Sequence, residues 1–149
     1  MRSSKDYYFV GIQIVLFLLF IFKGFLGYFS VLPMLKIPAM ILSIGGIFIV
    51  VLAILQLKTN LTPFPTPKEN GTLISTGLFT YVRHPIYSGI LLFAFSASCY
   101  FGSYFQLLIS LVLVVLFYFK STYEEGLLLK KYPDYKDFKT KRGRFLPKW

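Results

Sequence analysis

An all-α, multi-pass transmembrane bundle of about four spans is what this sequence predicts, on three observations. Hydrophobic residues make up 56% of the 149, and the mean hydropathy is +0.65. Charged residues make up only 15%, against roughly 25% in soluble domains. If the chain crosses four times, every Lys and Arg except Lys23 and Lys36 falls on one side. Positive charge marks the cytoplasmic side of a membrane protein.

The elements follow in order. A hydrocarbon core about 30 Å thick takes roughly 20 apolar residues as helix. The first span is predicted over 8–32, apolar apart from Gln13 and from Lys23, which can snorkel to the far interface. Arg2 and Lys5 ahead of an apolar run resemble a signal peptide. A small-residue cleavage site is missing and apolar sequence continues, so a retained span is expected. Pro33 closes that span, and Pro38, placed in a first helical turn, opens a second over 38–57 without a formal charge. Residues 58–83, with Pro63, Pro65, Pro67, Asn70 and Gly71, read as a polar loop. It is long for a connector, and long loops are often functional. Spans over 84–101 and 104–121 are predicted to form a tight hairpin hinged at Gly102 and Ser103. A helical tail over 122–149 completes a single integral membrane domain, 1–149. Both termini and the loop are then cytoplasmic.

Composition excludes several classes. The +10 net charge clusters beside apolar runs, which suits lipid headgroups and not nucleic acid. The single cysteine, Cys99, permits no intrachain disulfide and is expected as a small buried apolar side chain. With one histidine no His/Cys metal cluster can form. Proton-coupled transport needs an ionisable group at membrane depth. The central stretches of the spans offer Gln13, Gln56 near an end and Gln106 but no Asp, Glu or Arg, and Lys23, the one intramembrane candidate, can snorkel outward. Chemistry therefore belongs on the cytoplasmic face.

Three polar clusters meet that face: Gly77 to Gly89 with Arg83, His84, Pro85, Ile86 and Tyr87; Lys120 to Glu125; and Tyr135 to Pro147. Interface anchoring by Arg83 and Lys120, an aromatic belt with Tyr87 and Tyr123, and helix capping by His84 are open alternatives. Glu124 and Glu125 fit such roles less well. Adjacent carboxylates after a span, at an electronegative helix end, repel each other unless a cation binds them. A tight hairpin brings His84, Tyr87, Lys120 and Glu124 towards one pocket.

Gly77-x5-Arg83-His84-Pro85-x-Tyr87-x-Gly89, then Glu124-Glu125-x-x-Leu128, Tyr135-x-x-Phe138 and Arg144-Phe145-Leu146-Pro147 resemble the isoprenylcysteine carboxyl methyltransferase and phospholipid methyltransferase superfamily. The resemblance covers about 58–147. It implies a membrane methyltransferase that uses S-adenosylmethionine as cofactor. By the same resemblance Gly71, Thr72, Leu73, Ile74, Phe79, His84, Pro85, Ile86, Tyr87, Glu124 and Glu125 fall on cofactor-binding positions. Lys120 stands where the isoprenylcysteine enzymes have a substrate-associated arginine, and lysine lacks the planar two-point grip on a carboxylate. Phe79 and Phe138 replace tyrosines. The implied acceptor is lipophilic or lipidated, entering from the bilayer among membrane lipids, with the carboxylate and amine cases both open. A membrane reductase of the related sterol-reductase type and a non-catalytic membrane scaffold are the alternatives.

Overall fold

The computed structural model describes residues 3–23 and 26–148; Arg2, and positions 24 and 25 of the expected first span, lie outside it. Among the described residues five α-helices form the fold: α1 Ser4–Phe20, α2 Pro33–Leu57, α3 Pro85–Phe101, α4 Tyr104–Lys131 and α5 Tyr135–Lys141. Among the described residues there is no strand, only isolated bridges. On length and composition, α2 with the 3₁₀ turn that follows it and α4 can each cross a membrane. At 17 residues each, α1 and α3 sit at the lower limit of about 17 for a span.

α1 starts at a reciprocal cap. Ser3 Oγ accepts from Lys5 N at 3.4 Å, while Asp6 Oδ2 accepts from Ser3 N at 3.0 Å. The helix stops at Phe20, twelve residues short of the expected end. The segment that follows pairs instead with the hairpin hinge, where Phe29 N donates to Gly102 O at 2.7 Å and Tyr28 bridges Ser103. α2 begins five residues earlier than expected. Pro33 occupies its first turn, where a missing N–H costs nothing, and Pro38 lies inside it. Pro33 is thus the opener and not the terminator.

The hairpin is as tight as predicted. Gly102 closes α3 in the left-handed region (φ 64°) and Ser103 caps α4, its Oγ accepting from Gln106 N at 3.2 Å. α2 and α3 meet backbone to backbone at Gly46 and Gly89. A Cβ on Gly46 would lie 2.6 Å from Phe93 N, and one on Gly89 2.7 Å from Gly46 O. Small residues allow this approach, which replaces the hydrophobic effect as the packing force in lipid. Between α3 and α4 the buried hydroxyls of Ser98 and Ser110 bond each other at 3.1 Å, so neither polar group is stranded. Leu16, Ala94, Ile109, Leu113, Leu116 and Phe117 fill the core around them.

Two other expectations change. Cys99 is exposed on the outside of α3, not buried: it falls on the face turned away from α2 and α4. α4 runs unbroken to Lys131, so ten residues of the expected tail extend the fourth helix beyond its apolar part. The paired glutamates are therefore not at a helix end, and the electronegative terminus invoked against them lies further on.

Candidate functional site

Two adjoining cavities open at the polar end of the bundle. A loop cavity of about 110 Å³ lies under residues 60–74, and a hairpin cavity of about 270 Å³ lies between α1, α2, α3 and α4. They share Leu57, Thr62, Phe79, Arg83 and Glu124 as walls. The larger approaches the roughly 300 Å³ at which small-molecule sites begin.

Of the residues singled out in the sequence, Gly71, Thr72, Leu73 and Ile74 line the loop cavity. Side-chain bonds hold this segment there. Asn60 Oδ1 accepts from Thr72 N at 3.1 Å, and Tyr132 Oη donates to Gly71 O at 2.7 Å. His84, Pro85, Ile86, Tyr87 and Lys120 line the hairpin cavity. Phe79 and Glu124 belong to both.

The turn 77–80 places Phe79 in the shared wall, fixed by Leu78 N donating to Gln56 Oε1 at 2.9 Å. His84 is the N-cap of α3 but makes no side-chain cap bond. Its ring stacks on Tyr87 (5.3 Å, 11°), which stacks in turn on Phe117 (4.6 Å, 10°). Tyr87 Oη then donates to Glu124 Oε2 at 3.0 Å. Lys120 Nζ donates to Gln13 Oε1 at 2.6 Å and to Pro63 O at 3.0 Å. Both acceptors are neutral, so an ammonium with 2% of its residue exposed is hydrogen-bonded but not neutralised by them. Lys120 and Glu124 share a helical face because they are four residues apart.

Glu125 does not join them. One residue further round α4, it turns away from both cavities into a cluster of cations. Arg83 Nε is 2.9 Å and His84 Nε2 3.1 Å from its Oε1, with Lys139 Nζ 3.1 Å and Arg144 Nη2 3.5 Å from its Oε2. Burial pushes its pKa up. The His84 hydrogen bond and charge, the Lys139 bond and Arg83 outweigh that and hold it at about 2. The carboxylate fastens the C-terminal segment, which also bonds through Arg83 N to Gly143 O (2.9 Å), His84 N to Arg144 O (3.1 Å) and Ser88 Oγ to Phe145 O (2.6 Å). The resemblance puts Glu125 among the cofactor contacts; here it lines neither cavity and its partners are the basic side chains named above.

Three wall residues were given no site role in the sequence, although Arg83 and Tyr135 belong to its polar clusters. Gln13 lines the hairpin cavity from α1; the signal was its being the one polar residue in an apolar run. Arg83 walls both cavities. Tyr135 lines the loop cavity with its hydroxyl buried and without a hydrogen-bond partner. Burial, with Glu125 and Glu124 nearby, raises the pKa of that phenol, so it is a neutral donor. An orphaned buried hydroxyl costs stability, and Tyr135 is one of the residues that line the loop cavity with Glu124.

Comparison with known proteins bears on the family and the fold. Residues 35–135 match the phospholipid methyltransferase family. No curated protein matches significantly. Among solved structures the chain is similar to the eukaryotic intramembrane Ras methyltransferase ICMT (isoprenylcysteine carboxyl methyltransferase), with TM-score 0.69 and 18% identity over 99% of this chain. The chain spans about half of that protein's length, 54%. At that identity the likeness is one of fold, and the family rests on the match through both cavities and the hairpin. The chain belongs to the phospholipid methyltransferase family, an integral membrane methyltransferase family, and carries an ICMT-like helical fold.

Proposed function

We propose that the chain transfers a methyl group from S-adenosylmethionine to a lipophilic acceptor at the cytoplasmic membrane interface. The observation that carries this is the meeting of Glu124, Tyr87 and His84 with Lys120 where the two cavities join. The residues suit the cofactor's chemistry. Glu124 has one oxygen held by Tyr87, and among the described residues nothing is bonded to its Oε1, so it offers a carboxylate to an ammonium or sulfonium. The unpartnered Tyr135 hydroxyl supplies a donor. Phe79 and residues 71–74 give an apolar and backbone-rich wall. When bound, the cofactor supplies a methyl carbon activated by a positively charged sulfur.

The chain's own part is binding, orientation and exclusion of water. Tyr87, stacked on His84 and Phe117, fixes the rotamer of Glu124. Lys120, held by Gln13 and Pro63, points its ammonium along the cavity wall where an acceptor's anionic oxygen would be held. An amide whose oxygen faces an ammonium turns its NH₂ the other way, so Gln13 adds a second donor. Ile54, Leu61, Pro63, Pro85 and Ile86 keep the space dry, which strengthens each electrostatic contact. Holding the reacting groups in line is itself a large catalytic term. The apolar spans and the basic end support a cytoplasmic location for the loop, both termini and the cavities. The N-terminus and loop share that end through Thr66 Oγ1 donating to Asp6 Oδ2 at 2.6 Å.

Radiolabelled S-adenosylmethionine binding to detergent-purified protein tests the reading, with a reduced dinucleotide in parallel. Saturable binding of the methyl donor, lost in Glu124→Ala, is the expected result. No binding, or binding indifferent to Glu124→Ala, overturns it. Methyl transfer from labelled cofactor into a membrane lipid extract and into a prenylcysteine analogue then identifies the acceptor.

A further inference from the structure

A third hollow lies on the far side of Arg83 from the two cavities. It is an open basin of about 550 Å³ between α5 and the C-terminal segment, walled by Arg83, Lys136, Lys139, Arg142, Arg144 and Lys148. Among the described residues no carboxylate lines it. Solvated lysines on a membrane protein's basic face need no special account, but these cations are built in. Arg83 Nη1 donates to Lys139 O at 2.7 Å and Arg142 O at 3.0 Å; Arg142 Nε donates to Thr80 O at 3.1 Å; Lys148 Nζ donates to Thr140 O at 3.0 Å. Bonds to carbonyls fix a cation's position without cancelling its charge. Glu125 sits behind the wall and pairs with Arg83, Lys139 and Arg144. One carboxylate against six cations leaves the basin strongly positive.

The basin also joins an apolar surface. Arg144 Nη1 donates to Tyr118 O at 3.2 Å and to Thr122 Oγ1 at 2.8 Å, and its guanidinium lies 4.7 Å over the Tyr118 ring. From Tyr118 an exposed stripe runs down α4 through Val115, Leu111 and Leu108. These positions recur every three or four residues and so share one helical face. Leu146, 78% exposed, follows two residues after Arg144 of the basin wall. A positive hollow opening onto an apolar helix face matches one kind of ligand, an amphiphile with an anionic head.

We propose that the basin binds the phosphate-bearing headgroup of an anionic phospholipid, whose acyl chains lie along the exposed stripe of α4. This site is separate from the methyl-transfer cavities and does not rest on that reading. Basic pockets flanking membrane helices on the cytoplasmic side are favourable places for such headgroups. The shared Arg83 wall puts the lipid's phosphate next to the residues that anchor the C-terminal segment.

Full-length protein in neutral detergent is titrated with short-chain phosphatidylglycerol, short-chain phosphatidylcholine and glycerophosphate, reading bound lipid by native mass spectrometry and thermal unfolding in parallel. Phosphatidylglycerol is expected to bind and raise the melting temperature, with phosphatidylcholine and glycerophosphate at least about tenfold weaker. The triple variant Lys136→Gln, Arg142→Gln, Lys148→Gln should lose that preference while melting like the parent in phosphatidylcholine. Should the triple variant fold poorly, the single exposed Lys136→Gln must still weaken phosphatidylglycerol binding, and more so at low than at high salt. Equal binding of the zwitterionic lipid, or a preference unchanged in the variants, overturns the site. Glycerophosphate binding as well as the lipid overturns the lipid assignment in favour of a soluble anion.

Discussion

Glu124 and Glu125 are neighbours in the chain and occupy opposite kinds of environment. Glu124 faces the junction of two cavities, with 26% of its side chain exposed and one bond to Tyr87. Glu125, 1% exposed, faces the C-terminal segment amid Arg83, His84, Lys139 and Arg144. One helical residue is a turn of about 100°, which is enough to separate a ligand-facing carboxylate from a structural one. The difference shows how adjacent positions inside one helix can serve two purposes. Basic side chains of the C-terminal segment surround Glu125, whereas Glu124 has only Tyr87 and, at 3.7 Å, His84 beside it.

Removing the two carboxylates in turn breaks this comparison most directly. Glu125→Ala leaves the cations Arg83, Lys139 and Arg144, with His84, around a buried hole, and stranding one side of a buried ion cluster costs about 3–5 kcal/mol. A large fall in the melting temperature is expected, with protease cleavage of the segment after Lys131. A variant that melts like the parent would show that Glu125 is not the anchor. Acid titrates the same feature. Glu125's pKa is depressed from 4.5 to about 2 in the folded state. Its stabilisation is therefore complete above about pH 4.5 and is lost as pH falls towards 2, about 3 kcal/mol in all. Melting of the parent against Glu125→Gln between pH 6 and 2.5 reads this out, since the variant should lack that component of the acid slope. Glu124→Gln should do the reverse. It keeps stability within about 1 kcal/mol but weakens methyl-donor binding tenfold to a hundredfold, through loss of a charge-assisted contact worth roughly 1.5–3 kcal/mol.

The split between these residues was only half legible in the sequence. Hydropathy, charge asymmetry and the Gly102-Ser103 break revealed the helical bundle and its hairpin, because lipid forces backbone bonding inside each segment. Helix ends were less readable. An apolar run does not say whether it is helix, and Gly27 and Phe29 bond instead to Tyr104 and Gly102 at the hinge. Pro33 reads equally as a stop and a start, and only its position at the first turn of α2 decides. The spacing of motifs brought His84, Tyr87, Lys120 and Glu124 together correctly. It could not show that Glu125 points elsewhere, because that needs the partner residues Lys139 and Arg144 from a distant segment. Gln13 stood out as the polar exception in an apolar run, but its place in the site could not be read for the same reason. Its partner Lys120 lies 107 positions away.

Gln13 sharpens the ligand side of the comparison with a smaller effect. Gln13→Leu removes one of the two bonds that aim Lys120 and the amide that accompanies it. The acceptor's KM should rise about tenfold, corresponding to about 1.4 kcal/mol of binding, with kcat and methyl-donor affinity little changed. Equal losses in KM and methyl-donor affinity would instead mean that α1 merely props the cavity open.

The smallest effect is also the most discriminating, because its two readouts should move in opposite directions. Tyr135 is 1% exposed and its hydroxyl has no hydrogen-bond partner. If that group were merely structural, Tyr135→Phe would change neither stability nor binding by more than experimental error. If it is held ready for a ligand, the ligand-free protein bears the cost of a stranded polar group, of order 1 kcal/mol. Tyr135→Phe should then melt slightly higher than the parent without ligand, yet bind the methyl donor a few-fold more weakly. Its stability gain should vanish at saturating cofactor, where the parent's hydroxyl has found its partner. Paired melting curves with and without cofactor measure both quantities in one experiment. A variant that is less stable in both states would place Tyr135 with Glu125 on the structural side of α4, and not with Glu124.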